Sequence, residues 1–251
     1  MKQSPILSVQ NLRVAFTSNT GLNEVLHGIS YDLFANEILG IVGESGSGKS
    51  VASLAVMGLL PPKKSVVSAG EILFKNDDLL HYTQTQLEAL RGQKIAMIFQ
   101  EPMSALNPSM RCGTQVEEIL LQHTTTTQKA AKAEVIRLFD AVKIPAPSET
   151  FEKYPHEISG GQQQRVMIAM AIACKPDILI ADEPTTALDV TVQKTILELI
   201  KSLQHQNNMG VIFITHDLGV VADIADKILV MYNGEIVEQG KAKDLLSSPQ
   251  H

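Results

Sequence analysis

Hydrophobic and polar positions divide the chain into short apolar segments separated by polar, glycine-rich or proline-rich stretches. Ile6–Phe16 alternates loosely between apolar and polar residues and predicts a strand. A turn at Gly21-Leu22-Asn23 then leads into a second predicted strand, Glu24–Leu33. Shorter apolar runs predict six further strands, at Ile38–Val42, Gly70–Phe74, Ile95–Phe99, Asp177–Ala181, Val211–Thr215 and Ile228–Met231.

Longer segments between these strands predict helices. Lys49–Leu60 is helical in pattern and stops at Pro61-Pro62, as helices do at proline. Other helices are predicted near Gln115–Gln122, Lys129–Val142, Gln162–Ala173 and Val190–Gln206. Apolar strands that alternate with helices predict an α/β fold around a parallel sheet covered on both faces. The proline-punctuated stretch from about 101 to 173 differs in composition and suggests an inserted helical subdomain, and Asn233-Gly234 predicts a hairpin.

Composition narrows the classes of function. The 251 residues are 44% hydrophobic and 19% charged, which fits a folded core and excludes general disorder. A net charge of −6, 4% aromatic residues and no Trp give neither a basic footprint nor a stacking platform for nucleic acid. Cys112 and Cys174 lie too far apart for a disulfide framework or a cysteine zinc site.

The chain shows no segment that would insert into a membrane. Its N-terminus has no apolar core of a signal peptide. The longest apolar run, Val166–Cys174, is about half of what spans a bilayer. We therefore expect an intracellular protein whose membrane role, if it has one, comes through a partner.

A glycine-rich segment follows the predicted strand Ile38–Val42 and precedes a predicted helix. It reads Gly43-Glu44-Ser45-Gly46-Ser47-Gly48-Lys49-Ser50 and fits G-x-x-x-x-G-K-[ST] at every fixed position. Such a loop wraps phosphates with backbone N–H groups, while Lys49 reaches the β- and γ-phosphates and Ser50 ligates Mg²⁺. The predicted nucleotide-binding set is Gly43, Glu44, Ser45, Gly46, Ser47, Gly48, Lys49, Ser50 and the adjoining position 51.

Two acids end the apolar run Ile178–Ala181. Asp182 is placed to hold Mg²⁺ through water, and Glu183 to polarise the attacking water as general base. The alternative is a solvated acidic turn ahead of Pro184.

The segment Ser159-Gly160-Gly161-Gln162 likewise has two interpretations: a helix-capping box, or glycines that let the backbone approach an anion.

Taken together, these motifs resemble the ATP-binding cassette (ABC) ATPases over essentially the whole chain. The matching positions are Gly43–Ser50, Gln100, Ser159–Gln162, Ile178–Glu183, Ala187-Leu188-Asp189 and His216. The resemblance implies a P-loop NTPase with a RecA-like, mostly parallel sheet, an antiparallel β subdomain and an inserted helical signature subdomain. It also implies a head-to-tail dimer that hydrolyses ATP with Mg²⁺.

The resemblance further implies roles for single residues. Glu183, His216 and Lys49 would be catalytic, with His216 contacting the γ-phosphate. Gln100 would touch Mg²⁺ and couple to a transmembrane partner, and Asp189 would lie in the loop that crosses the dimer interface. Phe16 would stack on adenine, although a core position in its strand is the alternative, and His216 could be structural.

Longer runs resemble the ATPases of oligopeptide, dipeptide and nickel importers. They are Gln100–Pro108, Tyr154–Arg165, Ala181–Val190 and Thr215–Ala222. This resemblance implies a second cassette, transmembrane permease subunits, an indirect link to an extracytoplasmic binding protein, and a place on the cytoplasmic face of the inner membrane. The solute, peptide or nickel, stays open, as does pairing with a like or an unlike cassette.

The sequence departs from those relatives in two places. Ile158 stands where Leu is more usual, and the chain stops at Ser248-Pro249-Gln250-His251, where relatives continue. A shortened chain and the first half of a two-cassette protein are the alternatives for that end. Other functions also stay open: a soluble ABC ATPase acting on nucleic acid or ribosomes, a small-molecule kinase, or a cassette without enzymatic activity.

Overall fold

The computed structural model describes residues 4–18, 21–100, 105–185 and 189–248. Its contacts divide the chain into two compact units, residues 1–88 with 208–251 and residues 89–207. The first unit contains β1 (Leu7–Ser18), β2 (Gly21–Leu33), β3 (Ile38–Val42), α1 (Lys49–Val56), β4 (Ser65–Phe74), β5 (Asp77–Asp78), β8 (Gly210–Thr215), α8 (Leu218–Ile224), β9 (Lys227–Tyr232), β10 (Glu235–Lys241) and α9 (Ala242–Ser247). Helix α2 (Gln84–Leu90) lies at the boundary.

The second unit is mainly helical. It contains β6 (Ile95–Ile98), α3 (Cys112–His123), α4 (Gln128–Ala141), α5 (Pro147–Glu152), α6 (Gly160–Ile172), β7 (Ile178–Asp182) and α7 (Val190–Asn207). Strands β6 and β7 pair in parallel, with Ile98 opposite Ala181. The limits of an inserted helical subdomain at about 101–173 remain a prediction.

Two kinds of sheet make up the first unit. Strands β2, β1, β4 and β5 pair in that order and are antiparallel. In the other sheet β3 pairs in parallel with both β8 and β9, and β10 joins β9 as an antiparallel hairpin through Asn233-Gly234. Every residue of β3 and β8 is buried, as continuous apolar strands of a covered parallel sheet require. The α/β fold and the hairpin are therefore confirmed.

Three predicted boundaries are wrong, each for a local reason. Gly21-Leu22-Asn23 belongs to β2, because its residues continue the ladder with β1 as far as Ser18 opposite Gly21. Helix α1 ends at Val56: Gly58 is left-handed (φ 61°), and the Leu59 N–H donates to the Leu54 carbonyl in a Schellman motif. Strand β4 begins before Gly70, which marks a bulge inside the strand.

The Gly70 bulge shows why that glycine misled the sequence interpretation. Its φ is 99°, and a Cβ there would lie 2.6 Å from the backbone oxygens of Gln10 and Asn11. The register between β1 and β4 shifts at this point, as expected for a β-bulge. Glycine is therefore needed for close approach of two strands, and it does not start β4.

Candidate active site

The glycine-rich loop joins the carboxyl end of β3 to the first turn of α1. Gly46 (φ 82°) and Gly48 (φ 100°) have left-handed backbones, which glycine adopts without strain. A Cβ on Gly43 would lie 2.2 Å from the Met231 carbonyl oxygen of β9, so the loop is pressed against the sheet. By contrast, nothing lies within 4 Å of a Cβ built on Gly46. The loop is therefore packed against the sheet at Gly43 and open to solvent at Gly46.

Lys49 is held inside this loop. Its Nζ donates hydrogen bonds to the carbonyl oxygens of Gly43 (2.7 Å) and Glu44 (2.8 Å), and the residue is only 5% exposed. The adjacent Ser50 is exposed at the start of α1, and the loop side chains Glu44 and Ser45 are exposed as well. A buried ammonium, an exposed hydroxyl and a helix N-terminus suit a phosphate chain with its cation.

Position 51, included in the predicted nucleotide-binding set, is occupied by Val51. Its half-buried side chain has no oxygen or nitrogen and supplies no polar ligand. That part of the prediction is wrong for the side chain, and only the backbone of position 51 is left to contribute.

The sheet register places His216 beside the loop. Val42 of β3 pairs in parallel with Thr215 of β8, so the next residues, Gly43 and His216, leave the same edge of the sheet. Both residues, with Glu44, line a cavity of about 460 Å³, and His216 is exposed. The first unit therefore brings His216 and the loop together.

Sequence interpretation missed the residue that fixes the His216 segment. Asp217 caps α8: its Oδ1 accepts hydrogen bonds from the N–H groups of Gly219 (2.8 Å) and Val220 (3.4 Å). Its own N–H donates to Thr215 Oγ1 at 3.1 Å. An Asp directly before an apolar helical run was the available signal.

Phe16 lies near the end of β1, opposite Asn23 of β2 and Ser65 of β4. It is half-buried. Both alternatives, adenine stacking and strand packing, remain compatible with that position, so stacking stays a prediction.

A parallel register also unites Gln100 and Glu183 in the second unit. Ile98 of β6 is opposite Ala181 of β7, and each of the two polar residues follows its strand partner by two positions. Gln100 Nε2 donates to Glu183 Oε2 at 3.1 Å. Glu183 also has a left-handed backbone, φ 46°, which is uncommon for a residue with a Cβ and typical of functional sites.

Asp182 ends β7 and is 6% exposed. Its carboxylate and the Gln100 amide, both in the second unit, are oxygen donors of the kind that Mg²⁺ prefers. The Ser50 hydroxyl of the first unit is a donor of the same kind, so the chemistry of each group by itself suits a magnesium ion. In the described part of the chain, no cluster of three or more His, Cys, Asp or Glu side chains is suited to a metal.

The Ser159–Gln162 segment forms the capping box that its sequence allowed. Ser159 Oγ accepts from the Gln162 N–H (3.4 Å), and Gln162 Oε1 accepts from the Ser159 N–H (3.0 Å). Gly161 packs on α7, since a Cβ there would lie 3.1 Å from Val192 Cγ1, whereas a Cβ on Gly160 would meet nothing within 4 Å. Capping therefore accounts for Ser159 and Gln162 but gives no reason for Gly160.

The remaining predicted positions divide between capping and residues outside the described ranges. Asp189 caps α7, its Oδ1 accepting from the Val192 N–H at 2.9 Å. Ala187 and Leu188, and residues 101–104 after Gln100, lie outside the described residues. Among the helices that are described, none is long and apolar enough to cross a membrane.

Comparison with known proteins decides the family. A sequence profile described as "ABC transporter" matches residues 26–186, well over half of the chain. The chain belongs to the ABC transporter family. It is 53% identical over 98% of its length to the dipeptide transport ATP-binding protein DppD of Bacillus subtilis, covering 73% of that protein. It is 48% identical to the oligopeptide transport ATP-binding protein OppD of the same species, covering 69% of it.

The structural neighbours of this ABC ATPase are cassettes too. A dimeric, post-hydrolysis structure of the cassette MJ0796 with ADP and Pi matches with a TM-score of 0.84 at 26% identity, covering 94% of this chain and 98% of that one. The structure of cbiO1 from Clostridium perfringens, part of the ABC transporter complex cbiONQ, matches with a TM-score of 0.83 at 28% identity, over 98% of this chain and 92% of that one. The chain is thus an ATPase cassette, and none of these comparisons supports action on nucleic acid.

Proposed function

We propose that this cassette is the ATP-hydrolysing subunit of a membrane importer for short peptides. The hydrogen bond from Gln100 to Glu183 is the observation that carries the hydrolytic part of the proposal. It holds a carboxylate oxygen at the end of β7, directly after Asp182, and a carboxylate held in this way is the kind of group that takes a proton from water. A kinase has no need of a fixed proton acceptor for water.

In the proposed reaction the loop of the first unit binds the phosphates of ATP. Lys49 exchanges its bonds with the Gly43 and Glu44 carbonyl oxygens for bonds to the β- and γ-phosphates. When bound, Mg²⁺ would be held by Ser50, Asp182 and Gln100 and would neutralise charge on the phosphates. Phe16 stacks on the adenine ring.

Hydrolysis then needs a water and a proton acceptor. The water oxygen attacks the γ-phosphorus, its proton passes to the Glu183 carboxylate, and the bond from the γ-phosphorus to the bridging oxygen breaks to give ADP and phosphate. His216 contacts the γ-phosphoryl group. The left-handed backbone of Glu183 is the kind of strain that an active site retains to aim a side chain.

The second cassette supplies the other side of each ATP. We propose that Ser159–Gln162 of one cassette approaches the γ-phosphate held by its partner, and that Asp189 lies in the loop crossing this interface. Gly160 supports the proposal, because its exposed backbone has open space where a phosphate would approach. The dimer of MJ0796 with ADP and Pi supports the pairing.

The relatives support the peptide solute, since DppD and OppD are named for dipeptide and oligopeptide transport. We accordingly propose a single nucleotide-binding domain over 1–251, with a helical subdomain at about 101–173, docked on permease subunits at the cytoplasmic face of the membrane. An extracytoplasmic binding protein would select the solute. Nucleic acid is not a partner.

Uptake of a labelled dipeptide tests the proposal in cells that carry the complete transporter. We expect wild-type chain and the control Glu198→Gln, an exposed carboxylate of α7, to support uptake, and Glu183→Gln to abolish it. Unchanged uptake with Glu183→Gln would overturn the proposal. If Glu183→Gln abolished nickel uptake and left dipeptide uptake intact, the solute would be nickel and not a peptide.

A further inference from the structure

The second unit has a cavity that the proposed reaction does not use. It has a volume of about 450 Å³, within the usual range for small-molecule sites, and lies among α3, α4 and α5. Its lining is mostly charged or polar and comprises Arg111, Thr114, Glu117, Gln128, Lys129, Lys132, Phe151 and Glu152. Thr114 and Glu117 are three residues apart and therefore neighbours on α3, and Arg111 is the residue just before that helix begins.

Glu117 is the unusual member of this lining. The residue is only 6% exposed, yet within the described ranges its carboxylate has no hydrogen bond and no cation within 4 Å. Its oxygens are not among the buried side-chain atoms without a partner in the described ranges, so the carboxylate opens onto the cavity. A largely buried residue that presents a carboxylate to a cavity, with no protein cation beside it, offers a partner to a positively charged ligand group.

The other end of the lining has spare positive charge. Glu152 is shared by two cations, since it accepts from Lys132 Nζ at 2.7 Å and also pairs with Arg111. The Lys132 hydrogen bond, with the charges of Lys132 and Arg111, lowers the pKa of Glu152 and keeps it ionised. Lys129, in the exposed first turn of α4, has no ion pair among the described residues. One carboxylate against three cations leaves room for an anionic group.

Phe151 gives the cavity an apolar wall. Its ring is 4% exposed and lies directly on α3, where a Cβ on Gly113 would come within 2.1 Å of it. Lys132 Nζ lies 4.5 Å from the ring centroid. The ring is thus fixed between the helix and the cations, next to the space that a ligand would fill.

We propose that this cavity binds a zwitterion of the amino-acid or short-peptide class. The ligand ammonium pairs with Glu117, its carboxylate with Lys129 and the excess positive charge near Lys132, and its apolar part packs on Phe151. The ligand needs both charged groups. A ligand with only a negative charge would leave Glu117 without a partner, and a ligand with only a positive charge would be repelled by the three cationic side chains of the lining. The inference stands on the second unit alone and does not depend on peptide import being correct.

Calorimetric titration of the purified full chain, without nucleotide, tests the proposal. The probes are leucyl-glycine, free leucine, N-acetyl-leucine amide and inorganic phosphate. We expect saturable binding of leucine or leucyl-glycine, weakened at least about tenfold in Glu117→Gln and in Lys129→Gln. Glu118→Gln, a neighbouring exposed carboxylate on α3, is the matched control and should bind like wild type. The doubly blocked N-acetyl-leucine amide should not bind.

The two zwitterions distinguish the source of the ligand. Tighter binding of leucyl-glycine assigns the site to peptides, and tighter binding of leucine assigns it to free amino acids. No saturable heat from either up to about 10 mM would overturn the proposal. Binding of phosphate that is equal in wild type and Glu117→Gln would also overturn it, because the cavity would then be a simple anion site.

Thermal melting separates binding from folding. Glu117→Gln breaks no hydrogen bond or ion pair within the described ranges, so the variant should melt close to the wild-type temperature. Lys129→Gln should leave the melting temperature unchanged. A lower melting temperature in both variants would mean that Lys129 and Glu117 pair with each other in solution, and would overturn a ligand site. As a second readout, leucyl-glycine or leucine should protect Lys129 from acylation in peptide-mapping mass spectrometry.

Discussion

Replacing Glu183 by Gln tests the hydrolytic assignment most cleanly, because it changes the charge and little else. In the wild-type chain Gln100 Nε2 donates to Glu183 Oε2 at 3.1 Å, and the Oε1 of the introduced glutamine can still accept this hydrogen bond. The left-handed backbone, φ 46°, costs the same for Gln as for Glu, since both carry a Cβ. The lost function is therefore the ability to take a proton from water.

The expected size of the effect follows from that loss. General-base catalysis is typically worth about 10²–10⁴ in rate, or about 2.7–5.4 kcal/mol of barrier. Steady-state phosphate release from purified protein should fall by that factor in Glu183→Gln, with ATP affinity by calorimetry near wild type. A Glu198→Gln control should keep full activity.

A companion variant tests whether Gln100 does more than position Glu183 through this hydrogen bond. Gln100→Ala removes a bond worth about 0.5–1.5 kcal/mol net, so a purely positioning role predicts a rate loss of about 2–13-fold. Wild-type turnover in a clean Glu183→Gln preparation would refute the assignment of Glu183. A larger loss in Gln100→Ala than in Glu183→Gln would show that the amide, and not the carboxylate, is the main contributor.

Three further results follow from other contacts. Lys49→Ala should weaken ATP binding by about 30- to 800-fold, since about 2–4 kcal/mol of charge-assisted bonding is lost; an unchanged dissociation constant in calorimetry would contradict the loop assignment. Ser159→Ala removes a cap worth about 1 kcal/mol and should lower Tm by roughly 2–4 °C. Ser159→Asp keeps a capping acceptor but should still weaken the ATP-dependent dimer, as measured by light scattering. If this variant dimerises normally, helix capping is the whole role of Ser159. Burial raises the pKa of the Cys112 thiol to about 11. Iodoacetamide at neutral pH should therefore label the half-buried Cys174 before Cys112. Faster labelling of Cys112 would count against its buried position in α3.

The sequence was most informative about the functional residues that directly follow a buried strand. The runs before Gly43, Gln100, Glu183 and His216 are buried strands, and the parallel registers bring these residues together in pairs at strand ends. Apolar runs and a glycine-rich loop have strong local causes, so they can be recognised without tertiary information.

Contacts between distant segments could not be predicted in this way. The Gly70 bulge depends on the β1 backbone, and the early end of α1 depends on the left-handed Gly58. Glu117 gave no sequence signal, because an acid in a helix is usually exposed and its burial depends on tertiary packing. The same limit applies to Phe16, whose role depends on a neighbour that periodicity does not reveal.

The central claim is that this ATPase powers a membrane importer, and partner capture tests it most directly. ATP-loaded Glu183→Gln chain serves as bait in detergent-solubilised host membranes, with Lys49→Ala as the matched control that should not hold ATP. Mass spectrometry should identify multi-span membrane proteins that the first bait retains and the second does not. Equal recovery by both baits, or recovery of only ribosomal or DNA-bound proteins, would contradict the claim.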